Sequence, residues 1–96
     1  MNTIYGYFCL IFLRKINGFK IRIYNKKTHY EIYITHPMEL DIEKKEEIKK
    51  ILENSNINNY MYGHNNIYFE SRPKLKRMNI YKIILEIINA LREGNR

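Results

Sequence analysis

Apolar and polar side chains alternate residue by residue over positions 19–24 and again over positions 29–34. A period of two is typical of β-strands that bury one face and expose the other to solvent. The pattern therefore predicts two neighbouring strands that share a core face and a solvent face. The predicted core face contains Phe19, Ile21, Ile23, Tyr30, Ile32 and Ile34. The predicted solvent face contains Lys20, Arg22, Tyr24, His29, Glu31 and Tyr33.

A turn signal joins the first of these strands to an earlier apolar run. Asn17-Gly18 between two apolar segments is typical of a tight β-hairpin. A two-residue turn would place Arg14 opposite Ile21 on the apolar face, which is costly. A three-residue loop with a bulge at Gly18 pairs Leu13 with Ile21 instead. We therefore expect the three-residue loop.

The next connection contains Lys26 and Lys27. A tight loop at these lysines extends the hairpin into a three-stranded antiparallel meander. In this register Arg22 lies opposite Glu31, so we expect the glutamate to neutralise part of the charge of the arginine.

The apolar run over residues 4–13 differs from the other two strands because both of its faces are apolar. It is shorter than the about 20 apolar residues that a helix needs to cross a bilayer, so we expect no membrane partner. We interpret it as a buried strand, with Phe8, Leu10 and Phe12 covered by a helix or a partner subunit. The run holds Cys9, the only cysteine, which excludes a disulfide framework and favours a reducing, cytoplasmic location.

Two amphipathic helices are predicted in the second half of the chain. Asp41 is a typical N-cap for a helix from Ile42 to about Asn54. A wider apolar stripe predicts a C-terminal helix that follows residues 71–73, ends near Arg92 and packs on the sheet. The stripes consist of Ile48, Ile51 and Leu52 in the first helix and of Ile80, Ile83, Ile84, Ile87, Ile88 and Leu91 in the second.

The segment between the helices has tyrosines at alternate positions within residues 57–70, around a Gly-His-Asn-Asn sequence. This pattern predicts either a short hairpin or a single strand after a loop. The elements together predict one compact α+β domain over residues 1–96, with residues 93–96 as a loose tail.

The positive charge of the chain is concentrated in its two flanks. The formal net charge is +7, to which residues 1–36 contribute +5, residues 37–56 contribute −2 and residues 57–96 contribute +4. Ile, Asn, Lys and Tyr fill 49 of the 96 positions, a bias typical of low-GC genomes. This bias accounts for the number of lysines but not for their placement, so we expect an acidic partner.

Two groups of residues are candidates for contact with nucleic acid. Five cations surround the start of the C-terminal helix, where the helix dipole disfavours positive charge, and they suit contact with phosphates. Residues of the predicted solvent face interleave cations with aromatic rings, which suits backbone contact and base stacking. The first group, the helix-start patch, is Arg72, Lys74, Lys76, Arg77 and Lys82, and the second is Lys20, Arg22, Tyr24 and Tyr33.

Little in the sequence is typical of an active site. The three histidines have no metal-ligand spacing, the single aspartate is the predicted N-cap Asp41, and no glycine-rich phosphate loop is present. We therefore expect no enzyme activity, no metal and no cofactor. The remaining catalytic candidate is His64, as the base of a metal-independent nuclease.

The sequence supports two main functional hypotheses. The first is a small basic protein that binds nucleic acid or a nucleoprotein complex through the two groups of cations. The alternative is a protein–protein inhibitor or adaptor, since the composition is similar to that of small proteins from low-GC phages, viruses and plasmids. A host-protein interface or a homodimer interface would then use Phe8, Leu10, Phe12, Tyr60, Tyr62, Tyr81 and Leu85.

Overall fold

A computed structural model describes residues 9–16, 18–71 and 75–93. They form the elements β1 (Cys9–Ile16), β2 (Phe19–Asn25), β3 (Tyr30–Thr35), α1 (Ile42–Asn54), β4 (Asn59–Tyr62), β5 (Asn66–Ser71) and α2 (Arg77–Glu93). The predicted α+β class and antiparallel sheet are confirmed.

The strands form one antiparallel sheet in the order β1-β2-β3-β5-β4. The predicted three-stranded meander is therefore incomplete, because β5 adds to the free edge of β3 and β4 adds to β5. The sequence allowed either a short hairpin or a single strand within residues 57–70, and the structure shows the hairpin, formed by β4 and β5. The extension has a physical reason, since a sheet that ended at β3 would leave the outer hydrogen-bonding groups of that strand unpaired.

The predicted register between β1 and β2 is wrong. Ile16 pairs with Phe19, so the turn has two residues, and Arg14 lies opposite Ile21. The prediction placed its bulge at Gly18, whereas the register shift lies between Leu10 and Phe12. Such a bulge changes the pairing of the strand beyond it, so apolar matching near the turn does not decide the register.

Gly18 is required at this turn for two reasons. Its φ of +89° lies in the region that side chains with a Cβ rarely adopt. A Cβ at this position would also lie 3.3 Å from Cγ of Pro37. The glycine therefore allows both the tight turn and the close approach of the segment after β3.

The register between β2 and β3 differs from the prediction by two residues. The connecting loop spans residues 26–29 and is closed by a hydrogen bond from Lys26 N to His29 O at 2.9 Å. Arg22 consequently lies opposite Tyr33, and Tyr24 lies opposite Glu31. A shift of two residues leaves the side chains of the paired strand residues on their predicted faces, because the side-chain period of a strand is two.

Both helices cover one face of the sheet. All six residues of the predicted core face are buried, and they form one apolar cluster with buried residues of α1 and α2. Asp41 is the predicted N-cap of α1, with Oδ1 accepting a hydrogen bond from Lys44 N at 2.8 Å. This hydrogen bond holds the pKa of Asp41 below its ordinary value.

The apolar stripe of α2 is also confirmed. Its six predicted residues are all buried, and Ile87 and Leu91 are completely inaccessible to solvent. Neither described helix is long and apolar enough to cross a bilayer.

Some predictions fall outside the described residues. Phe8, Arg72, Lys74 and residues 94–96 lie there, so the loose tail stays a prediction. Strand β1 is described through its backbone pairing, and the cover expected over its apolar residues, Leu10 and Phe12 among them, also stays a prediction.

Candidate functional site

The solvent face of the sheet is organised in three rows of cross-strand neighbours; all three cross β2, β3 and β5, and two of them continue onto β4. The lysine row is Lys20, Thr35 and Asn66; the tyrosine row is Arg22, Tyr33, Tyr68 and Met61; the acidic row is Tyr24, Glu31, Glu70 and Asn59. Cations, rings and carboxylates therefore follow one another along the strand direction.

Arg22 is held among the rings of this face. Its guanidinium carbon lies 5.0 Å from the centroid of the Tyr33 ring and 6.0 Å from that of the Tyr24 ring. Its Nη1 donates a hydrogen bond to the Tyr24 hydroxyl at 3.3 Å. Both centroid distances lie within the about 6 Å over which a cation and a ring attract each other. The charge is therefore fixed on the sheet surface.

Three tyrosines of the face form a continuous ladder. The rings of Tyr24 and Tyr33 meet edge to face, with centroids 5.6 Å apart, and those of Tyr33 and Tyr68 are tilted, with centroids 4.9 Å apart. Aromatic pairs of this kind contribute about 0.5–1.5 kcal/mol beyond their burial. All three rings are half-buried, so part of each ring remains exposed on the sheet surface.

A shallow groove of about 210 Å³ crosses the tyrosine row. Its lining is Arg22, Tyr33, Thr35, Met61, Tyr62, Gly63, Asn66, Ile67 and Tyr68. Pockets for drug-sized ligands occupy about 300–1,000 Å³. The groove is therefore too small for such a ligand and suits one small group, such as a single planar ring.

Hydrogen bonds link the tyrosine row to the acidic row. Tyr33 donates to Oε1 of Glu31 at 3.3 Å, and Tyr68 donates to Oε2 of Glu70. Burial and the charge of Glu31 raise the pKa of Tyr33. Burial and the hydrogen bond to Glu70 raise the pKa of Tyr68 strongly. Both phenols are therefore neutral donors at neutral pH.

His29 lies at the edge of the acidic row. It belongs to the β2–β3 loop and is buried, whereas the sequence predicted a solvent-exposed strand residue opposite Tyr24. Its Nε2 lies 3.3 Å from Oε2 of Glu31, and its Nδ1 lies 3.0 Å from Oγ1 of Thr28. The longer loop causes the difference, because it folds the imidazole back towards β3.

The described residues of the helix-start patch and the predicted sheet residues lie in different layers. Lys76, Arg77 and Lys82 are exposed, and Lys82 lines a groove with Asn56 and Asn79 in the helix layer. Arg22, by contrast, lies on the face that the helices do not cover. The described members of the two groups therefore do not lie on one face of the sheet, and Arg72 and Lys74 lie outside the described residues.

The predicted interface tyrosines Tyr60 and Tyr62 pack between β4 and α1. Tyr60 donates to Oε2 of Glu53 at 3.4 Å, and Tyr62 donates to the carbonyl of Lys45 at 3.1 Å. Burial is the main reason that the pKa of Tyr62 rises to about 12. Both side chains thus help to fix α1 on the edge of the sheet.

The other predicted residues occupy exposed or half-buried positions. Tyr81 is half-buried against the core, and Leu85 is 53% exposed on α2. His64, the catalytic candidate, is exposed, and its Nδ1 lies 3.6 Å from Oε2 of Glu39.

Tyr68 and Glu70 were not among the predicted site residues. Both lie on β5. Their neighbours are determined by the pairing of β5 with β3, and α1 separates these two strands in the sequence. The alternation of tyrosines in residues 57–70 was the available signal, but alternation alone does not say which strand lies beside which.

Over the described residues, the fold is a two-layer α+β arrangement in which the two helices cover one face of the sheet and leave the other face uncovered. No protein-family model matches the chain, and neither a curated protein nor a solved structure does.

Proposed function

We propose that the protein binds single-stranded nucleic acid on the open face of its sheet. The observation that carries the proposal is the cation–π contact of Arg22 with Tyr33 within the tyrosine ladder. A fixed cation beside ordered aromatic rings offers one contact for a phosphate and others for bases.

The three rows favour one placement of the strand. Phosphates would lie towards Lys20 and Arg22, because the carboxylates of Glu31 and Glu70 repel them from the acidic row. Bases would stack on the rings of the tyrosine row and one would enter the groove. This mode of binding tolerates many sequences, since every base has a π face.

Binding to labelled oligouridine and oligothymidine of about 12 nucleotides tests the proposal, by fluorescence anisotropy at about 50 mM salt. We expect Tyr33→Leu and Arg22→Gln each to weaken binding by about fivefold or more, since a stacked base contributes about 1–3 kcal/mol. Affinity should fall as salt increases, because phosphate contacts release counterions.

Lys49→Gln is the matched control, because Lys49 is an exposed cation of α1 in the helix layer. It removes the same charge as Arg22→Gln and should change affinity by less than about twofold. Reversal of Arg72, Lys74, Lys76 and Arg77 to glutamate tests the helix-start patch. If only this reversal abolishes binding, or if the wild type does not bind, the sheet face is not the site.

A second candidate function, protein–protein binding, is favoured by one feature of α2. Met78 is 70% exposed and Leu85 is 53% exposed, and Tyr81 lies between them on the same side of the helix. Large apolar side chains in such a stripe suit an interface. We propose that the stripe pairs two copies of the chain.

Light scattering over a range of protein concentrations tests this pairing. The wild type should form a dimer at high micromolar concentration. Leu85→Asn should shift the protein to the monomer, because an amide is well solvated in water and its burial at the interface without a hydrogen-bond partner costs free energy. Ile42→Asn is the control, since Ile42 is 76% exposed on α1. A wild type that remains monomeric contradicts the pairing.

A further inference from the structure

We propose that His29, Glu31 and Glu70 form a binding site for a divalent transition-metal ion. One nitrogen or oxygen atom from each residue lies within 4.8 Å of the others. His29 is buried and both glutamates are half-buried, so the cluster is a built part of the fold. We do not base this site on nucleic-acid binding by the tyrosine row.

The spacing of the first two ligand atoms already suits a metal. Nε2 of His29 and Oε2 of Glu31 are 3.3 Å apart. Two ligands that each lie about 2.1 Å from a tetrahedral ion are about 3.4 Å apart. Glu70 projects from the neighbouring strand directly opposite Glu31 and supplies the third ligand.

Each ligand is held by a partner outside the cluster. Oγ1 of Thr28 engages Nδ1 of His29 and directs Nε2 at the carboxylates. Tyr33 donates to Glu31, and Glu70 accepts hydrogen bonds from Tyr68 and from Nδ2 of Asn59. Outer hydrogen bonds of this kind typically orient metal ligands, and one that a histidine donates through its other ring nitrogen also raises the basicity of the ligating nitrogen.

The electrostatics of the acidic row also favour a cation. Glu31 and Glu70 lie directly opposite each other on neighbouring strands, and like charges in this arrangement repel each other. A divalent ion between them would offset this repulsion. One imidazole with two carboxylates suits Zn²⁺, Mn²⁺, Fe²⁺ or Co²⁺, whereas Mg²⁺ and Ca²⁺ prefer oxygen ligands alone. Three protein ligands leave a position for water.

Titration of the full chain with Co²⁺, followed by visible absorption, tests the site, and calorimetry with Zn²⁺ gives the affinity. We expect one ion per chain, displacement of Co²⁺ by Zn²⁺ but not by millimolar Mg²⁺, and a higher Tm with metal. If neither ion binds at millimolar concentration, or if Mg²⁺ displaces Co²⁺ as well as Zn²⁺ does, the proposal is wrong.

Variants locate the ion. His29→Ala and Glu70→Gln should each weaken metal binding by at least about tenfold, and the nearly isosteric Glu70→Gln keeps the shape of the sheet. His64→Ala is the matched control, because His64 is an exposed histidine beside Glu39. Affinity that is unchanged in His29→Ala, or lost in His64→Ala, would overturn the assignment.

Discussion

Replacing Ile87 by asparagine is expected to destabilise the fold by about 3–8 kcal/mol, which is a large part of the stability of a domain of this size. Ile87 is completely buried in the apolar stripe of α2. Truncation of a buried isoleucine costs about 2–5 kcal/mol, and an unpartnered buried amide adds about 1–3 kcal/mol. Domains of this size are stable by only about 5–15 kcal/mol. Urea unfolding followed by circular dichroism measures the loss.

The matched control lies two residues away on the same helix. Leu85 is 53% exposed, so Leu85→Asn should change the free energy of unfolding by less than about 0.5 kcal/mol at concentrations where the protein is monomeric. If both variants lose similar stability, the buried side of α2 is assigned incorrectly.

Replacing Phe69 by alanine should have the next largest effect. Phe69 is completely buried on β5, between β3 and β4, and belongs to the central apolar cluster. Removal of a buried phenylalanine ring leaves a cavity and costs about 3–5 kcal/mol. Chemical denaturation should therefore give a lower midpoint with an unchanged slope.

Met61→Ala is the control for this prediction. Met61 lies on the neighbouring strand β4, but it is 67% exposed and faces solvent. Its truncation should change stability by less than about 0.5 kcal/mol. A large loss in Met61→Ala would contradict the assignment of the two faces of the sheet.

The elements and faces of this protein could be predicted from sequence because they depend on local patterns. The alternation from Phe19 to Ile34 assigned the core face, and Asp41 marked the start of α1, because a side-chain acceptor is needed there. The stripe of α2 could be predicted for the same reason, since its spacing alone determines which side is apolar.

The registers and the site could not be predicted in the same way. The pairing of Arg22 with Tyr33 depends on the length of one loop, and the pairing of Glu31 with Glu70 depends on which strand occupies the edge of β3. The absence of a metal-ligand spacing in the sequence therefore said little about His29, whose candidate partners come from two strands that are distant in the chain.

The pairing of β3 with β5 has a kinetic consequence. It pairs Tyr30 with Ser71, which are far apart in the sequence. Contacts between β3 and β5 can therefore form only after the segment that contains α1 and β4 has closed a long loop. The hairpins on either side are local and can form first. Tyr33 and Glu31 lie on β3, whereas Tyr68 and Glu70 lie on β5. A nascent chain therefore has neither a complete tyrosine row nor a complete acidic row until β5 has left the ribosome.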